Sequence, residues 1–296
     1  MRTLDWQRLT RRLDGEFGIA FRGDVEVRAV GGGDISSAWC LDDGTQRVFL
    51  KSGPAAALPL FECEQDGLAA LASAQAIRVP QVLGCGLTDA TSFLALEWLD
   101  LGGARPLVEK RLGEQLAAQH RRTGQRFGWH RDNFIGATPQ PNSACAGWLE
   151  FFQHHRLGWQ LQLAAERGHN GELAALGKQL MAALPRLLEG HAPDASLLHG
   201  DLWAGNHAAV GDQPVVFDPA VHYGDRECDL AMTRLFGGFG PEFYRAYESA
   251  WPLPTGHETR LPLYQLYHVL NHLNLFGQGY AARAKSLMRG LLRAVD

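Results

Sequence analysis

The chain has 296 residues, 46% hydrophobic and 20% charged, which is enough apolar material for a large buried core. A formal charge of -4 provides no basic field for nucleic acid, and no run approaches the roughly 20 apolar residues that cross a bilayer. The five cysteines are scattered with no CxxC pair, which argues against a zinc knuckle or a disulfide framework and for a reduced, cytoplasmic setting.

Leu4, Leu9, Leu13 and Phe17 recur at helical spacing, so residues 4–17 are expected to form an amphipathic helix. Over 25–30 apolar and polar residues alternate, as in a half-buried strand, and Gly31-Gly32-Gly33-Asp34 then breaks the chain. Strands over 37–41 and 47–51 follow, separated by Asp42-Asp43-Gly44, whose Asp-Gly pair signals a hairpin turn. A helix rich in Ala and Leu, carrying Glu62, Glu64 and Asp66, spans 61–74, and Pro80 leads into strands near 81–87 and 92–98. From there the pattern turns helical, over 107–122, 145–168, 172–189, 241–250 and 262–277. Val215-Val216-Phe217 reads as a short buried strand among them. The expected architecture is α+β and bilobal. Residues 1–100 form a small β-rich N-lobe, residues 101–296 a larger α-helical C-lobe, and the site lies in the cleft between them.

The chemistry concentrates in His199-Gly200-Asp201-Leu202-Trp203-Ala204-Gly205-Asn206, followed by Asp218 at the end of the 215–217 strand. Phosphoryl transfer needs a carboxylate that orients the accepting hydroxyl and takes its proton, and oxygen ligands that hold Mg²⁺ against the phosphates. Asp201, Asn206 five positions on, and Asp218 twelve further on supply that set. Lys51, closing an apolar strand, can contact phosphate if a carboxylate on the next helix positions it. Glu62 and Glu64 are the candidates, and they point in different directions, so one of them serves. Backbone N–H groups of Gly32 and Gly33 can cradle phosphate oxygens. Glu97, Trp98 and Leu99 follow the last strand of the small lobe, where an interlobe hinge can offer backbone groups to adenine. His268 and His272 stand four apart as in zinc helices, but no glutamate follows His268 and core packing is the expectation.

The run from Ser196 to Asn206 resembles the fructosamine kinase (ketosamine 3-kinase) family, in particular its bacterial branch. The HGD-x4-N pattern is shared with the wider aminoglycoside and choline kinase group, whereas Leu202-Trp203 narrows the resemblance. So do Phe217-Asp218-Pro219-Ala220 and the stretch Gly224-Asp225-Arg226-Glu227-Cys228-Asp229-Leu230-Ala231-Met232. The resemblance implies a protein-kinase-like fold and transfer of the ATP γ-phosphate to a sugar hydroxyl of a ketosamine or glycated amine, in deglycation repair. It makes Asp201 the catalytic base, Asn206 and Asp218 the Mg²⁺ ligands, Lys51 a phosphate contact and Glu64 its partner. Glu97, Trp98 and Leu99 become the adenine hinge, Trp203 and His199 acceptor-side residues, and Asp229 a buttress of the catalytic loop. Some relatives carry cysteine where Asp34 stands, so a loop disulfide switch does not transfer, and Asp34 is not expected to bind phosphate.

A kinase for another hydroxylated small molecule, such as an aminoglycoside, choline or an amino alcohol, fits the same core motif. A nucleotide-binding pseudokinase is disfavoured because Lys51, Asp201, Asn206 and Asp218 are all present. A metal-dependent hydrolase fails for want of a histidine–carboxylate cluster at ligand spacing. The expected chain is a monomer.

Overall fold

Strand alternation decides which way Lys51 faces. The computed structural model describes residues 5–31, 36–103 and 105–295. Helix α1 (Trp6–Phe17) is capped by Asp5, whose carboxylate accepts from Arg8 N, and ends at Gly18 in the left-handed conformation. Strands β1 (Glu26–Val30), β2 (Ser37–Asp42), β3 (Arg47–Pro54), β4 (Val82–Thr88) and β5 (Thr91–Glu97) form one antiparallel sheet in the order β1-β2-β3-β5-β4. Val48 and Leu50 pack with Leu9 and Leu13 of α1. Successive side chains of a strand point to opposite faces, so Phe49 and Lys51 face the other way. On that side lies helix α2 (Leu58–Ala74), whose Phe61 and Leu68 bury against Leu94 and Leu96. Lys51 stands between Ala38 and Leu94 in register.

The larger lobe is helical. It contains α3 (Pro106–His120), α4 (Trp148–Phe152), α5 (Trp159–Glu166), α6 (Glu172–Leu187), α7 (Glu227–Leu235), α8 (Pro241–Ala250), α9 (His257–Phe276) and α10 (Ala281–Arg293). Its main core gathers Trp148, Phe151, Phe152, Leu180, Tyr264 and Leu270. Short antiparallel pairs carry the functional loops: β6 (Asn133–Ile135) with β7 (Thr138–Gln140), β8 (Ser196–Leu198) with β11 (His222–Gly224), and β9 (His207–Val210) with β10 (Gln213–Val216).

Four expectations change. The helix expected over 145–168 starts at Trp148 and is interrupted by a π-helical turn, Gln153–Gly158. That turn buries Arg156, whose guanidinium donates to Pro141 O, His155 O and Asn142 Oδ1 and stacks on Phe151. The helix expected from 262 begins at His257, with Pro262 inside it. Helices α7 and α10 were not expected. The first hides its period because Glu227 and Asp229 are buried among apolar residues. The second shows an ordinary stripe of Ala284, Met288 and Leu291.

Candidate active site

The loop after β8 is held from below. Asp229, on α7, accepts from His199 N and Gly200 N, both at 2.8 Å, and its Oδ2 lies 3.1 Å from His120 Nε2. Gly200 has φ +83, and a Cβ there would stand 2.1 Å from the carbonyl oxygen of Ala220. Only glycine suits that turn. His199 corrects its expected place at the acceptor. It is completely buried and does not line the cleft. Its Nε2 donates to Phe217 O at 3.0 Å, and its Nδ1 accepts from Asp201 N at 3.3 Å. The ring therefore ties the loop to the segment before Asp218, and burial lowers its pKa and keeps it neutral.

Above this support the expected polar residues converge. Asn206 Nδ2 donates to the backbone oxygen of Asp201 at 2.9 Å and reaches Asp201 Oδ2 at 3.4 Å. Asn206 O accepts from Phe217 N at 3.1 Å, which brings Asp218 beside the loop. Asp218 holds a left-handed backbone, φ +57, a strained state for a residue with a side chain. Lys51 Nζ lies 2.7 Å from Glu64 Oε1 and 2.5 Å from Asp218 Oδ1. Glu62 instead faces Arg131 at the surface, so Glu64 is the carboxylate that meets Lys51.

The electrostatics follow from this crowding. Burial works against the Lys51 charge, but the carboxylates of Glu64 and Asp218 outweigh it and raise the pKa. Burial would raise Asp218, and Lys51 overrides it and holds the carboxylate below its ordinary range. Burial pushes Glu64 up to about 7 against the pull of Lys51, with the Asp218 charge adding to the rise. Asp201 is also pushed up to about 7, first by burial and then by the charges of Asp218 and Asp229.

These residues line one cleft of about 1570 Å³. It exceeds the range of a typical single-ligand pocket, roughly 300–1,000 Å³. Glu97, Trp98 and Leu99 line one side. Glu97 N donates to Gln81 O and its carboxylate pairs with Arg78, while Trp98 lies under Arg47. Trp203, 40% exposed, stands on the other side in edge-to-face contact with Phe236, and His272 lies 4.8 Å from the Phe236 ring. Gly205 gives Trp203 its place, since a Cβ there would lie 2.3 Å from the indole. Phe236, His272, Phe276 and Tyr280 extend this aromatic wall and were not expected from the sequence. His272 thus faces the cleft, whereas His268 is buried in the core as expected. Gly32, Gly33 and Asp34 lie outside the described residues.

The fructosamine kinase family model matches residues 5–294. The chain belongs to the fructosamine kinase family. A Synechocystis protein named "probable ketoamine kinase" is 44% identical over 97% of both chains. A rice protein named protein-ribulosamine 3-kinase is 39% identical over 90% of this chain and 79% of its own length. A crystal structure from Haemophilus somnus, assigned to fructosamine-3-kinase, superposes with a TM-score of 0.88 at 32% identity, covering 97% of each chain. A thermostable mutant of the aminoglycoside phosphotransferase APH(4)-Ia, at 18% identity and a TM-score of 0.64 over 96% of this chain and 98% of its own, shares the fold, which is protein-kinase-like.

As a member of the fructosamine kinase family, the chain is a phosphotransferase acting on an alcohol group. Its donor atoms fit a hard cation. Asn206 Nδ2 is tethered to a carbonyl, which identifies it as the nitrogen and leaves Oδ1 an oxygen donor without a partner among the described residues, in the cleft that the half-exposed carboxylate of Asp218 also lines. Another group, His191, Asp225 and Glu227, comes within ligand distance of itself away from the cleft. Its oxygens are already taken: Arg260 grips Glu227 with two nitrogens, and Tyr264 and His191 both meet Asp225 Oδ2. That group is a buried ion-pair knot that anchors the start of α7.

Proposed function

We propose that this fructosamine kinase family member uses ATP and Mg²⁺ to phosphorylate a sugar hydroxyl of a ketosamine, a fructosyl- or ribulosyl-amine, in the repair of glycated amines. The observation that carries the reading is the convergence of Lys51, Glu64, Asp201, Asn206 and Asp218 on one cleft whose far wall is exposed aromatic surface. In this reading Asp201 accepts a hydrogen bond from the acceptor hydroxyl and takes its proton as the oxygen attacks the γ-phosphorus. Its raised pKa makes it a stronger base than an ordinary aspartate. Glu64 holds Lys51 at the depth where phosphate oxygens would replace Asp218 as its partner. Asn206 Oδ1 and Asp218 would hold Mg²⁺, which would supply positive charge against the charge developing on the transferring phosphoryl group. Glu97, Trp98 and Leu99 would receive adenine, and Trp203 would offer its face to the sugar adduct.

We further place the lobe boundary near residue 100 and read the enzyme as a cytoplasmic monomer. Among the described residues no cysteine is paired and no helix is long and apolar enough to cross a membrane. The test is ATP turnover with fructosyl- and ribulosyl-amines, aminoglycosides and choline presented in parallel. Phosphorylated ketosamine is the expected product. Its absence at high enzyme, with another acceptor turned over, would move the chain to a different acceptor class.

A further inference from the structure

Asn271 lies on α9 at the cleft, with only 2% of its surface exposed, and its amide is oriented from behind. Asn274 Nδ2 donates to the backbone oxygen of Gln160 at 3.0 Å, and because a carbonyl only accepts, that atom is the nitrogen. The same NH₂ group meets the Gln160 side chain at 2.7 Å, so the atom facing it is Oε1. Gln160 Nε2 therefore faces Asn271 and donates to its Oδ1 at 3.3 Å. Asn271 Nδ2 is left turned to the cleft, and among the described residues nothing accepts from it. Nδ2 is not sealed away from solvent and Asn271 lines the cleft, so this donor is open to an acceptor that arrives with a ligand.

The chemistry of that ligand follows from the surroundings. The described cations lining the cleft are Lys51 and Arg105. Lys51 is held by Glu64 and Asp218, and Arg105 by Asp212 and Gly211 O. The acceptor half therefore offers a neutral amide in the same cleft as the Trp203 and Phe236 rings, not a site for an anion. A cleft lined by both a planar amide and aromatic rings suits a polyol, which presents C–H surface to a ring and hydroxyl oxygens to an N–H.

We propose that Asn271 Nδ2 fixes the sugar half of the acceptor by donating to a hydroxyl or carbonyl oxygen of the ketosamine, with Gln160 and Asn274 as positioning residues behind it. This rests on the ketosamine reading and adds the residue that selects the polyol. Asn271→Leu keeps the bulk and removes the donor. KM for a fructosyl-amine should rise roughly 10- to 100-fold, while KM for ATP stays within about twofold. Gln160→Glu keeps the bond from Asn274 but places a second carboxylate oxygen opposite Asn271. That oxygen draws the Asn271 NH₂ group inward, so the same selective rise is expected from a residue that touches no substrate. Thermal melting confirms that each variant is folded. A folded Asn271→Leu enzyme with unchanged KM for the fructosyl-amine overturns the proposal, as does an equal loss for ATP and acceptor. Wild-type enzyme that phosphorylates no ketosamine defeats the functional reading and takes this inference with it. The wild-type assay alone decides that case, so the two failures are distinguishable.

Discussion

Asp201 and Asn206 are neighbours in the loop, yet the atoms they already use give them separate work. Asp201 lends its backbone oxygen to Asn206 and keeps its carboxylate for the cleft, touched by Asn206 at 3.4 Å. Asp201→Asn preserves shape and removes the proton acceptor. We expect kcat to fall roughly 10²- to 10⁴-fold with ATP·Mg²⁺ binding retained, as read by single-turnover kinetics and calorimetry. Full activity would assign the base elsewhere. Asp218→Ala should behave differently. It removes a proposed metal oxygen and frees Lys51 from its 2.5 Å contact, so Mg²⁺-dependent nucleotide binding weakens. Nucleotide affinity that responds to Mg²⁺ as in the wild type would count against that role. Gly200→Ala forces a side chain into a positive-φ turn against Ala220 O, and its expected result is loss of folded protein or of activity, never a silent change.

Helix α2 brings Glu64 to Lys51, and it is pinned to the other lobe along its length. Trp129 Nε1 donates to Asp66 Oδ2 at 2.8 Å, His130 Nε2 lies 3.2 Å from the same oxygen, and Cys63 Sγ donates to Asp132 O. Gly67 packs so closely on Pro219 and Val221 that a Cβ would lie 3.2 Å from each. Trp129→Phe keeps an aromatic ring near Tyr223 and removes the donor together with part of the packed indole. A partly exposed hydrogen bond to a carboxylate is worth about 1 kcal/mol and the lost ring surface adds to it, so melting should drop by at least about 2 °C. Amide exchange in α2 should quicken and kcat should fall several-fold. Exchange and kcat unchanged from wild type would show that the pin does not position Glu64. This pin also marks what the sequence could reveal. Residues 199–206 and the strand before Asp218 were legible because their chemistry is written in contiguous spacing, and Lys51 because alternation sets its face. Trp129 and Asp66 are 63 residues apart, and the orientation of Asn271 depends on Gln160 and Asn274, so no local pattern announces either. The π turn around Arg156 and the three-residue strands fall below the length at which periodicity can be seen.

Across the whole molecule, stability should depend on keeping histidines neutral. Burial lowers the pKa of His199, His207, His222 and His268, to about 4 for His207 and about 3 for His268. His155 and His272 are lowered by the same cause. In the unfolded chain these groups titrate near 6.5. Between those limits the unfolded state binds protons that the folded state refuses, so stability falls as pH drops below about 6.5, at about 1.4 kcal/mol per pH unit for each net proton. Glu64 and Asp201 act with the opposite sign, because their folded pKa values near 7 favour the native state below the ordinary carboxylate range and withdraw that support as pH rises toward 7. The lowered histidines outnumber the raised carboxylates, so their trend governs the acid side. Urea unfolding of the nucleotide-free enzyme at pH 5.0, 6.5 and 8.0 should therefore show its steepest loss between 6.5 and 5.0. His268→Leu isolates one contribution. Its Nδ1 is buried without a partner among the described residues, so the substitution removes an unsatisfied polar atom and one acid-sensitive group together. That variant should resist unfolding at pH 5.0 better than the wild type and differ less from it at pH 8.0. Equal wild-type stability at pH 5.0 and 6.5 would mean that the interior histidines accept protons without cost, and that the polar layer around α9 is more open to water than its burial indicates.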